Sequence, residues 1–221
     1  RGGFTTADWL TPDPQTNLTA IDGELERRCI DIPAGLPDTE VVIEGFHIHH
    51  GKTQGRDRGA GIRIYDAYTT LRHNWIYNNE TDTTNTDALG GGVASAGTSA
   101  HLHLIDNHIY SNHAYGGSGI LVAGESTALI EGNAIYNNVS VKYGAFVLVG
   151  TVDASSEAIF RNNLVYHNDG GDYGGGLYIS ENGVLSLQHT TIYSNVVAKS
   201  GSALGIYKGT VTGANSIFAE N

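Results

Sequence analysis

Hydrophobic positions in this chain alternate with polar ones over runs of three to five residues. No segment sustains the 3.6-residue spacing of a helical face. Gly61-Ile62-Arg63-Ile64, Gly119-Ile120-Leu121-Val122 and Gly176-Leu177-Tyr178-Ile179 each leave a glycine and read as short strands. A small polar turn comes next, as in Gly124-Glu125-Ser126 or Glu181-Asn182-Gly183. A second alternating run follows, as in Ala128-Leu129-Ile130-Glu131 or Val184-Leu185-Ser186-Leu187. Strands this short, punctuated by Gly, Asn and Ser, predict an all-β chain.

A third run closes each unit and carries the most regular feature of the sequence. Asn74-Trp75-Ile76-Tyr77-Asn78-Asn79 recurs as Asn107-His108-Ile109-Tyr110-Ser111-Asn112, Asn133-Ala134-Ile135-Tyr136-Asn137-Asn138 and Asn163-Leu164-Val165-Tyr166-His167-Asn168. Looser copies follow at Thr190-Thr191-Ile192-Tyr193-Ser194-Asn195 and Asn215-Ser216-Ile217-Phe218-Ala219-Glu220, and Gly45-Phe46-His47-Ile48-His49-His50-Gly51 is an earlier degenerate one. The spacing between copies varies while the motif does not, which implies a constant frame with loops of changing length. Three strands per repeat predict a β-solenoid whose coils bury their apolar faces only against one another. The expected fold is a single-stranded right-handed parallel β-helix of about seven or eight coils, stacked at about 4.8 Å each. Residues 1–221 are expected to form one domain, with irregular coils and a loop over 1–40 and regular repeats over 41–221.

The asparagines have a physical reason. A sharp bend between strands wants a residue that tolerates left-handed φ and bonds to local backbone. Stacking then puts Asn74, Asn107, Asn133, Asn163 and Asn215 in one line, and Asn79, Asn112, Asn138, Asn168 and Asn195 in another. Both lines are expected to be structural ladders.

Composition narrows the function. Thirty glycines and no methionine fit a chain that turns often, and 12 Tyr, 5 Phe and 2 Trp argue against disorder. A formal charge of −11 argues against nucleic acid as a partner, because binding phosphate needs a basic face, and disfavours anionic membranes. No apolar run reaches the roughly 18 to 20 residues of a membrane span. The lone Cys29 lies in an apolar alternation and is expected to be a buried structural thiol. The sequence starts at Arg1 and stops inside a repeat at Asn221, so it is expected to be a fragment of a longer chain. Sequons at Asn17, Asn79 and Asn138 read as chance in so Asn-rich a sequence.

The Asn-x-Ile-Tyr-x-Asn and Gly-Gly-Gly-[Leu/Val] units resemble the parallel β-helix repeats of large bacterial secreted and surface proteins. Those include the group similar to chlamydial polymorphic outer-membrane proteins and related adhesins. The opening Gly2-Gly3-Phe4-Thr5, Asp8-Trp9 and Thr19-Ala20-Ile21-Asp22-Gly23 resembles the segment that leads into such repeats. The likeness implies the fold and a secreted or cell-surface location. It does not imply one activity, because the same solenoid carries lyases, hydrolases, tailspikes and adhesins.

Candidate chemistry is sparse. Tyr77, Tyr110, Tyr136, Tyr166 and Tyr193, with Phe218 and His49 at the ends, directly follow the inward Ile/Val and should point outward. Such a column would grip sugar rings or a partner, or serve only as a stacking ladder. Tyr115, Tyr143 and Tyr173 form a shorter column. Asp82, Asp87, Asp169 and Asp172 lie on the longest polar loops, where oxygen-rich clusters would hold a structural Ca²⁺, the one cofactor expected, unless the loops are simply solvated. His47, His49 and His50, and His101 with His103, could ligate a metal, but no third ligand follows at a recognisable spacing. Asp66, Asp106 and Glu131 share no column, Lys142 and Arg161 stand apart from them, and the lysines are scattered. No catalytic residue is expected. The sequence therefore predicts a non-catalytic extracellular structural or adhesive rod that self-associates into a filament or surface layer or meets other surface proteins. The alternative is a carbohydrate-active lyase or hydrolase, or a tailspike-like sugar-binding β-helix.

Overall fold

The computed structural model describes residues 2–5, 7–8, 13, 16–35 and 39–221, and Trp9 of the opening segment lies outside them. Among the described residues every regular element is a strand. The chain visits three parallel sheets in rotation, so that each turn adds one strand to each sheet. The first sheet has eight strands, from Ala20–Asp22 to Ile217–Ala219. The second has seven, from Ile30–Ile32 to Leu204–Tyr207, and the third has seven, from Glu40–Glu44 to Thr210–Ala214. This is a right-handed parallel β-helix, the hand that parallel crossovers take. Strand pairing begins at Ala20, within the segment expected to hold irregular coils.

Three-residue strands of the first sheet pair in strict register, Ile48 on Ile76, Ile109, Ile135, Val165 and Ile192, and all six are fully buried. The second sheet sends in Ile62, Val93, Ile120, Phe146 and Leu177, and the third Leu71, Leu104, Ile130, Phe160 and Leu187. Each coil is too thin to enclose a core. The apolar column is sealed only because the next coil lies on top.

Both asparagine lines are hydrogen-bonded along the rod axis. Asn79 Nδ2 donates to Asn112 Oδ1 at 2.9 Å, and the relay continues to Asn138, Asn168, Asn195 and Asn221 at 3.0, 3.0, 2.9 and 2.9 Å. Asn74, Asn107, Asn133 and Asn163 form the parallel line, at 3.1, 3.0 and 3.1 Å. Each Oδ1 also accepts a backbone N–H, and each Nδ2 also donates to a carbonyl of the preceding coil, for example Asn138 to Ile109 O. Asn79 and Asn138 are wholly buried, which closes those two sequons to glycosylation.

Two expectations about the bends need correction. The left-handed residue is the one before each ladder asparagine. Asn78, Ser111, Asn137 and His167 all have φ of 53°, and His73, Asp106 and Asn162 do the same at the other corner. The ladder asparagines keep ordinary backbone and supply side chains instead. The last repeat is also shifted by one residue. Ile192 pairs with Phe218, Tyr193 with Ala219 and Thr191 with Ile217. Asn215 takes the left-handed bend at φ 50°, and Ser216 Oγ fills the ladder position, accepting the Thr190 N–H at 3.3 Å. Asn215 is therefore not in the ladder, Phe218 is not in the tyrosine column, and Asn221 continues the line of Asn195.

Candidate functional site

The tyrosine column is a stack. Ring centroids along Tyr77, Tyr110, Tyr136, Tyr166 and Tyr193 are 4.9, 4.9, 4.9 and 5.3 Å apart, with planes within 13° of parallel. His49 extends the stack, 5.0 Å from Tyr77. Each ring face is covered by the next, so a partner meets only edges and hydroxyls. Burial pushes the Tyr110 hydroxyl up to about 12, helped by charge repulsion from Tyr136 and Tyr77.

The acidic loop residues do not converge. Asp82 Oδ1 accepts from Thr84 N at 3.0 Å and its Oδ2 from Gly55 N at 3.1 Å. Asp87 lies 3.5 Å from Arg56. Three coils further along the rod, Asp169 accepts from Gly171 N at 2.9 Å and Asp172 pairs with Lys199 at 2.9 Å. All four carboxylates thus tie down their own turns or hold a cation. Asp66 does similar work, accepting from Thr98 N and Ser99 N, and Glu131 is held by a two-point contact to Arg161.

The histidines separate into distinct settings. His47 stacks on Trp75 at 4.8 Å. His101 stacks on Tyr68 at 4.2 Å, with Nδ1 2.6 Å from Thr127 Oγ1, and lies with His103, Glu40 and Thr70 around a hollow of about 440 Å³. His49 and His50 meet Asp22, a neighbour the sequence reading missed because it belongs to the preceding coil. Burial keeps His49 below the usual histidine value, against the pull of Asp22. The Glu24 backbone N–H holds the Asp22 carboxyl below its usual range.

A larger concavity than the His101 hollow joins residues that the sequence shows only in part. A trough of about 690 Å³ runs along the outer face of the second sheet. Its floor is Val147, Tyr178 and Gly205, paired in register on three successive strands. Its wall is Tyr143, Tyr173 and Ser200, bridged one coil to the next. Tyr178 stacks on Tyr143 at 4.8 Å and leans toward Tyr173 at 6.4 Å. Gly205 makes this geometry accessible, because a Cβ there would stand 2.9 Å from Tyr178 Cδ2. Tyr207 closes one end and is half exposed.

Three of the chain's four lysines gather at this trough, which corrects the expectation that they are scattered. Lys142 lies 5.5 Å from the Tyr143 ring centroid, Lys199 5.5 Å from Tyr173 and Lys208 5.1 Å from Tyr207. Asp172 pairs with Lys199, and Glu181 stands 3.6 Å from Lys208. Lys142 has no carboxylate partner among the described residues, and interaction with the Tyr143 phenol holds its ammonium above the ordinary lysine value. Varying loop lengths hid this set, since no fixed sequence offset links Lys142, Tyr178 and Lys208. Pairing between neighbouring coils brings these residues together.

A solenoid of stacked parallel strands bearing an aromatic, lysine-rimmed trough defines the class: an elongated β-helix with a lengthwise concave face. The family model described as a right handed beta helix region matches residues 36–221, and the chain belongs to that family. Comparison with curated proteins and with solved structures gave no match.

Proposed function

We propose that this chain is a non-catalytic extracellular rod whose adhesive surface is the tyrosine-lined trough, and that it takes an extended carbohydrate carrying carboxylate groups. The observation that carries this reading is the alignment of Tyr143, Tyr173, Tyr178 and Tyr207 beneath Lys142, Lys199 and Lys208. Tyrosine faces and edges pack against the apolar sides of sugar rings while their hydroxyls meet sugar oxygens. Lys142 supplies a cation that no carboxylate among the described residues already satisfies, in a molecule otherwise strongly acidic. The trough runs parallel to the rod, so coils about 4.8 Å apart would meet successive sugars of one strand.

Cleavage chemistry has weaker support. Glycoside hydrolysis normally needs two carboxyl groups flanking the bond, whereas Glu181 is the one acid lining the trough and it faces Lys208. A lyase needs a proton acceptor, and Lys142 is biased toward its protonated form. The test is calorimetric titration with uronate-containing and neutral polysaccharides. Saturable binding of the uronate polymer is expected, weakened at least tenfold by Tyr178→Ala and shifted toward neutral glycans by Lys142→Gln. Release of reducing ends or unsaturated products would replace this reading with the enzymatic one.

A further inference from the structure

At the N-terminal end of the tyrosine stack the column changes chemistry. Tyr110 and Tyr77 are followed in register by His49 and then Asp22, so the aromatic ladder terminates on a carboxylate. His50 holds the left-handed corner of its coil, φ 53°, the position that Asn78, Ser111 and Asn137 hold in later coils. The corner turns its ring edge-on to His49, with planes at 88° and centroids 4.6 Å apart.

Three donor atoms face one another here. His49 Nδ1 and His50 Nδ1 are 3.0 Å apart, and Asp22 Oδ1 lies 3.7 Å from the first and 3.4 Å from the second. An imidazolium and a carboxylate that hydrogen-bond directly approach to about 2.7–2.9 Å. The Asp22 oxygen stands back from both rings. A tetrahedral ion with arms of about 2.0–2.1 Å instead separates its ligand atoms by about 3.3 Å, in the middle of these edges. Asp22 Oδ1 also accepts the Glu24 N–H at 2.8 Å, which fixes the carboxylate and leaves a lone pair on that oxygen free to bind. The His49 side chain is well covered, while those of His50 and Asp22 are 41% and 46% exposed, so the triangle opens to solvent on one side.

The geometry points to a site for a divalent transition ion, in which Asp22, His49 and His50 bind zinc, or cobalt in its place, with water as fourth ligand. Two imidazole nitrogens select such ions over calcium or magnesium, which prefer all-oxygen shells. The ion would clasp the coil bearing Asp22 to the coil bearing both histidines. This inference stands apart from the carbohydrate trough.

The experiment titrates chelator-treated, tag-free protein with Co²⁺ and follows the visible d–d bands. One equivalent is expected to give bands of tetrahedral intensity that Zn²⁺ abolishes and Ca²⁺ does not. His50→Asn keeps a residue suited to the left-handed corner, and Asp22→Asn keeps an acceptor for Glu24 N–H. Each is expected to weaken binding on the order of 100-fold, since loss of a direct ligand exceeds the effect of losing an outer-shell partner. Far-UV circular dichroism should stay unchanged in both, and His101→Ala should leave the metal affinity intact. Zn²⁺ should raise the thermal midpoint of the parent protein and of neither ligand variant. Absence of a one-equivalent endpoint, full affinity in both ligand variants, or an equal loss in His101→Ala would each overturn the proposal.

Discussion

Asn138 shows how much one side chain carries in this rod. Its Oδ1 accepts from Asn112 N at 3.1 Å and from Asn112 Nδ2 at 3.0 Å, while its Nδ2 donates to Ile109 O and to Asn168 Oδ1. All of this is shielded from water, so truncation leaves several buried partners unmatched. Asn138→Ala is expected to cost about 3 kcal/mol, within the range for removing a hub of buried hydrogen bonds. Its neighbour Asn137 is exposed and contributes a left-handed φ of 53°. Asn137→Ala is expected to cost about 1 kcal/mol, the usual penalty of that backbone region for an ordinary residue. Urea unfolding of the two variants checks the ranking, and equal losses would refute the division of labour between corner and ladder. The sequence showed paired asparagines at each corner. Which one bends and which one bonds followed only from backbone angles.

A column of identical side chains behaves as an element in its own right. Burial raises the phenols of Tyr77, Tyr110, Tyr136 and Tyr166, and Tyr110 has the clearest shift, to about 12 against an ordinary 10.0. A folded-state pKa above the unfolded one gives stability that is whole below the unfolded value and is lost as pH rises through the folded one. The urea midpoint is therefore expected to hold up to about pH 10 and to fall between about 10 and 12. Phenolate absorbance should show a late-titrating group that Tyr110→Phe removes. A column that titrates entirely near the ordinary tyrosine value would mean that the Tyr110 hydroxyl is not shielded from water. This stack was legible in the sequence because each tyrosine follows its buried Ile or Val at a fixed offset. The trough was not, because Tyr143 ends the extra strand Val139–Tyr143, Tyr173 comes from a loop, Tyr178 from a strand of the second sheet, and Lys208 from the turn after Tyr207. Their shared surface is a product of coil stacking, and so is the meeting of Asp22 with His49 and His50.

At the scale of the whole molecule, stability is a sum over contacts between neighbouring coils. Ile109, Ile120, Ile130 and Ile135 are covered from both sides and fully buried. In the last coil Ile206, Ile217 and Phe218 are about half exposed. Hydrogen exchange of this 221-residue chain is expected to be slowest for amides of Thr127–Glu131 and Ser156–Arg161, and fastest within Leu204–Ala219. Uniform protection along the rod would contradict the nearest-neighbour account.

The repeat by itself determined the β-helix, the inward Ile/Val line, the tyrosine column and the existence of two asparagine rows, because each is a fixed offset within one coil. The stacked structure decided the register of the final coil, the gathering of lysines over tyrosines, and the carboxylate that completes the histidine pair. Those features join residues whose separation along the chain depends on loop length, and a linear sequence does not record which residues the next turn of backbone will bring within reach.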